Sequence, residues 1–111
     1  MRLTVLGLFL TAASLWAHAI LIESNPAPRG VVKGPDFVLR LKFNSRIDGS
    51  HSRLYLKNAG VSRQIEMDAQ PSPDTLAARV TGLAPGAAVL QWQVLAVDGH
   101  ITRGELPFEI R

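Results

Sequence analysis

The chain has 111 residues, 47% of them hydrophobic and 19% charged, which suits one domain with a buried core and excludes disorder by composition. The net charge of +3 arises from 12 basic and 9 acidic residues, and the basic ones are scattered singly without stacking aromatics between them, which argues against a nucleic-acid partner. No cysteine is present, so disulfides, thiolate metal sites and lipoprotein attachment are excluded.

The chain opens with Met1-Arg2, a minimal positive region, followed by the short apolar run Leu3–Leu10 and the small residues Ala12, Ala13 and Ser14. This is the layout of a cleaved secretory signal, and the apolar run is too short for a comfortable membrane span. Two cleavage points compete. The small-x-small rule is met best by Ala17-His18-Ala19, which cuts before Ile20 and discards His18. A cut after Ala17 puts the larger Leu15 at the minus-three position but makes His18 the first mature residue. An exported chain without disulfides is compatible with a bacterial periplasm.

Ala19–Ser24 reads as a first short strand, and Asn25–Gly30 as a turn-rich break, because each proline restricts the residue before it. Phe37–Phe43 alternates, with Phe37, Leu39, Leu41 and Phe43 facing a core and Arg40 and Lys42 outward. Asn44–Ser50 reads as a polar loop. Strands are then expected at Arg53–Lys57, Arg63–Met67 and Thr75–Val80, the last weakened by its alanines. The turn Gly82–Gly86 leads into the longest strand, Val89–Val97, in which Trp92 is most simply a core residue. In the last strand, Glu105–Ile110, Pro107 falls on the outward phase and suggests an edge position. About seven short strands with turn signals between them and no amphipathic helix describe an all-β, two-sheet sandwich of the immunoglobulin-like kind.

The chemistry centres on Asp98-Gly99-His100, at the end of the longest strand. In extended backbone residues i and i+2 share a face, so the carboxylate and the imidazole can converge, while Gly99 lets a bend or bulge aim them. The pair makes half of a transition-metal site; equally, Asp-Gly-His reads as a solvated turn. A free N-terminal His18 would add two nitrogens, its α-amino group and ring Nδ1, both available as neutral donors around neutral pH. His18, Asp98 and His100 together would give a tetragonal set of three nitrogens and one oxygen, which favours Cu(II), with tetrahedral zinc as the competitor. His51, in the polar loop beside Asp48-Gly49, reads as a solvated histidine rather than an auxiliary ligand.

His18-Ala19, Ser24-Asn25-Pro26-Ala27, Leu39–Phe43, Gly82–Gly86, Gln91-Trp92 and Val97–His100 with Gly104 and Phe108 together resemble CopC-type periplasmic copper-resistance proteins. The resemblance covers essentially the whole mature chain and implies an immunoglobulin-like β-sandwich that binds one Cu(II) ion through a histidine brace. Carried over, it makes His18, Asp98 and His100 the metal ligands and implies cleavage after Ala17, with a signal peptide at 1–17 and a copper-binding domain at 18–111. Two departures stand out. Some family members place a glutamate shortly after the residue matching Phe43, where this chain has Asn44, Ser45 and Arg46, so the affinity is expected to differ. Some carry a methionine-rich Cu(I) site, and with only Met67 beyond the initiator no such site is expected here.

The leading expectation is a non-catalytic, monomeric periplasmic Cu(II) carrier or buffer that hands copper to a membrane transporter of the CopD type or to another periplasmic copper protein. A copper monooxygenase-like enzyme is the first competitor. Against it stand a chain about one short sandwich long and the absence of a broad aromatic face, since Tyr55 and Trp92 are the candidates outside the leader. A metal-free sandwich used in adhesion or assembly is the second.

Overall fold

A computed structural model describes residues 19–111; the expected leader, 1–17, and His18 fall outside them. Eight strands follow one another: β1 (Leu21–Asn25), β2 (Val31–Val32), β3 (Phe37–Phe43), β4 (Ile47–Asn58), β5 (Val61–Ile65), β6 (Thr75–Val80), β7 (Gly86–Ala96) and β8 (Ile101–Ile110). They form a three-stranded sheet, β1-β3-β6, and a five-stranded sheet, β2-β8-β7-β4-β5, with no helix among the described residues.

Alternation builds the interior. Leu39, Leu41 and Phe43 of β3 point inward with Leu76, Ala78 and Val80 of β6, and meet Leu54, Leu56, Leu90, Val94, Leu106 and Phe108 from the other sheet. Each such leucine removed from water contributes about 1.5–3 kcal/mol, which a chain without disulfides depends on. Phe37 meets Phe108 edge to face at 5.6 Å between ring centres, and Phe43 meets Trp92 likewise at 6.2 Å, so one aromatic contact bridges the sheets at each end of β3.

Trp92 is half-buried rather than fully enclosed, and its indole leans across Gly104, its partner on β8. A Cβ on Gly104 would overlap the indole ring, so only glycine allows this crossing.

Three features depart from the expected strands. Val31–Val32 adds a short strand that pairs in parallel with Glu109–Ile110. Strand β4 begins at Ile47, inside the stretch expected to be a polar loop, and its register against β7 shifts between Asp48 and Arg53. The shift has a local cause. Asp48 Oδ1 accepts from the Ser50 amide at 3.1 Å and its hydroxyl at 2.7 Å, while the Ser52 hydroxyl donates to Asp48 O at 2.7 Å. Buried Ile47 and Ser52 anchor both ends, so the polar residues between them bulge without ending the strand. Strand β8 also starts earlier than expected, at Ile101. Pro107 pairs with Val89, and its carbonyl, on the side away from β7, accepts from Arg29 N. Its missing N–H faces that same outer side, where β2 reaches only Glu109 and Ile110; β8 is flanked by β2 and β7 and is not an edge strand, and Pro107 fits because the β2 ladder stops short of it.

Candidate metal centre

Strands β7 and β8 are joined by a tight hairpin. Ala96 N donates to His100 O at 2.9 Å, and Gly99 N donates to Ala96 O at 2.9 Å, enclosing Val97, Asp98 and Gly99. Gly99 has φ +95°, a left-handed angle that side chains rarely adopt, and such three-residue hairpin loops call for it. Asp98 and His100 therefore converge through a turn, not through the extended backbone expected from the sequence.

The convergence itself holds. Asp98 Oδ1 lies 3.3 Å from His100 Nδ1 and accepts the His100 backbone N–H at 3.1 Å. That backbone bond, more than the imidazole, holds the Asp98 carboxyl below its usual range, so it is an anionic donor at neutral pH. Both side chains are about half exposed, at 57% for His100 and 48% for Asp98, which leaves them open to an incoming ion. Among the described residues they supply two donors, and no group of three or more His, Cys, Asp or Glu side chains is assembled.

The start of the described chain lies against the same hairpin. Ala19 is buried, and its N–H donates to Thr102 Oγ1 at 3.3 Å, two residues beyond His100. Ile20 N donates to Asn44 Oδ1 at 2.7 Å, and Asn44 N donates back to Ile20 O at 2.9 Å. His18, the third predicted ligand, lies outside the described residues. The bonding roles of Asn44 and Thr102 left no sign in the sequence. Nothing in the order of residues marks a side chain that will pair with backbone 24 or 83 positions away.

His51 does not join this hairpin. It stands on the β4 bulge, exposed, with Nδ1 2.9 Å from Asp48 Oδ2. The larger concavities also lie elsewhere. One of about 390 Å³ sits on the outer face of the five-stranded sheet among Tyr55, Gln91, Gln93, Arg103 and Glu105. Another of about 420 Å³ runs beside Gly49, Met67 and Gln70. Asp98 and His100 thus occupy a projecting tip rather than the floor of either cleft.

The chain is similar to known proteins in sequence and in fold. Protein YobA of Escherichia coli K12 is 26% identical over 113 residues, covering 98% of this chain and 91% of that protein. The crystal structure of CopC from Methylosinus trichosporium OB3b superposes with a TM-score of 0.74 at 23% identity, covering 84% of this chain and 93% of that one. PcoC, a methionine-rich copper resistance protein from Escherichia coli, superposes with a TM-score of 0.70 at 20% identity, covering 86% of this chain and 100% of that one. Residues 21–111 match the CopC domain, and the chain belongs to the CopC domain family.

Proposed function

We propose that residues 1–17 are an export leader and that the mature domain, 18–111, is a monomeric periplasmic carrier or buffer for one Cu(II) ion in copper homeostasis and resistance. Its ligands are the α-amino and imidazole nitrogens of His18, the Asp98 carboxylate and the His100 imidazole. One observation carries the reading: the Asp98–His100 pair stands at an exposed hairpin tip, and Ala19 is tied to Thr102 beside it. A mature chain beginning at His18 starts one residue from that tie.

The donor set suits Cu(II). Nitrogen and carboxylate donors favour it over Cu(I), which prefers thioether and thiolate. Met67 is the one methionine beyond the initiator and packs partly buried against the core, so a thioether-rich Cu(I) set is no part of this reading. An open tip also suits a carrier. A membrane transporter of the CopD type, or another periplasmic copper protein, reaches the ion there by ligand exchange without the sandwich opening. Membership of the CopC domain family supports the copper assignment and a binding rather than a catalytic role.

The test joins intact mass with titration. The exported protein should have the mass of residues 18–111 and bind one Cu(II) per chain at micromolar or tighter affinity. A mature chain starting at Ile20, or one that takes up no Cu(II), contradicts the proposal.

A further inference from the structure

The two arms of the proposed centre belong to different sheets. The chain start leads into β1 of the three-stranded sheet, whereas Asp98 and His100 follow β7 of the five-stranded sheet. Among the described residues no strand ladder holds one arm against the other, and the direct tie is the single bond from Ala19 N to Thr102 Oγ1 at 3.3 Å. The corner between β3 and β4 passes from one sheet to the other, and it touches both arms within three residues. Asn44 grips Ile20 through two hydrogen bonds, Ile20 N to Asn44 Oδ1 at 2.7 Å and Asn44 N to Ile20 O at 2.9 Å. Arg46 O accepts the N–H of Val97, the residue before Asp98, at 3.2 Å. Between them the Ser45 hydroxyl oxygen is buried, while Asn44 and Arg46 on either side are exposed.

We propose that Asn44 is a positioning residue for copper: it fixes Ile20 to the corner that also holds Val97 of the hairpin, so that less ordering of the chain start remains when the ion arrives. The inference rests on the copper reading above. Its physical basis is preorganisation. The first residues of a domain are poorly ordered unless tied down, and an ordering cost met before binding does not subtract from affinity. The side chain carries the effect, because the Asn44 backbone N–H survives substitution whereas the 2.7 Å bond to Oδ1 does not.

The experiment is a competition titration with Cu(II) on the mature wild-type chain and on Asn44→Ala, Asn44→Asp and Asn25→Ala. Asn25 is the control, since its side chain makes a comparable bond to Val38 O at 2.8 Å, at the far end of β1. Loss of a group that orients a ligand typically weakens metal binding about 10–100-fold, so Asn44→Ala is expected to bind about tenfold more weakly. Asn44→Asp, which keeps the acceptor oxygen, and Asn25→Ala, which leaves the corner intact, are expected within about twofold of wild type, well short of that loss. Wild-type affinity in Asn44→Ala, or equal weakening in Asn25→Ala, overturns the positioning role while the copper reading stands. Absence of Cu(II) binding by the wild-type chain removes both.

Discussion

Two aspartate–histidine pairs stand at the five-stranded sheet, alike in composition and different in surroundings. Asp48 and His51 lie on the β4 bulge, with Asp48 opposite Leu95; Asp98 and His100 lie on the loop after β7. Exposure does not separate them, since the two imidazoles are 69% and 57% exposed. Satisfaction does. Both carboxylate oxygens of Asp48 are engaged inside the bulge, Oδ1 by Ser50 and Oδ2 by His51. Asp98 Oδ1 accepts from the His100 backbone, while Oδ2 accepts no hydrogen bond among the described residues. The second contrast is what the fold brings alongside. The hairpin has the chain start tied to Thr102, whereas the bulge is closed by its own serines. A donor pair becomes a centre through its neighbours more than through its own chemistry.

The largest effect should come from exchanging the two histidines for alanine in turn. His100→Ala is expected to lower Cu(II) affinity by at least about 100-fold, whereas His51→Ala stays within about twofold, because losing a ligand exceeds the 10–100-fold cost of losing its support. Isothermal titration reads both, and equal losses would erase the distinction between the pairs.

Next comes the backbone that shapes the hairpin. Gly99→Ala forces a side chain into a left-handed conformation, with no steric contact around it to add to the cost. The expected loss is about 1 kcal/mol, or roughly 4–8 °C in Tm, read by thermal unfolding of the metal-free protein. An unchanged Tm would mean that the loop is not held as described.

The smallest effect concerns acid. Asp98 is held below the usual carboxylate range first by the His100 backbone N–H, Asp48 first by the Ser50 hydroxyl, and Asp74 first by the Thr75 hydroxyl. A folded-state pKa below the unfolded one gives stability that is complete above the unfolded value, about 3.9, and lost as pH falls through the lower folded value. The Tm should therefore decline below about pH 4. Asp48→Asn and Asp74→Asn, each removing a carboxylate with two side-chain partners, should flatten that decline more than Asp98→Asn. The opposite ranking in a pH series of melting curves would show that the bulge pair is the looser one.

Much of this was legible before any coordinates. The inward set Leu39, Leu41 and Phe43 follows from strict alternation, and the approach of Asp98 to His100 was open to view in their spacing, although Asp-Gly-His read equally as a solvated turn. The β4 bulge was not legible, because Asp48-Gly49-Ser50 has the composition of a loop, and only pairing with β7 across a register shift keeps it in the sheet. Strand β2 escaped notice for a related reason: two valines carry no period, and their partner lies at the far end of the chain. Asn44, Thr102 and the Arg46 carbonyl are invisible in sequence because their roles exist only once two sheets face each other.

The central claim is that copper is held jointly by the chain start and the β7–β8 hairpin. Copper titration of two purified chains, one beginning at His18 and one at Ile20, tests it most directly. The account predicts tight uptake of one Cu(II) by the first and loss of at least about 100-fold in affinity by the second, beyond what a supporting group alone would cost. Equal affinity in the two chains would contradict it.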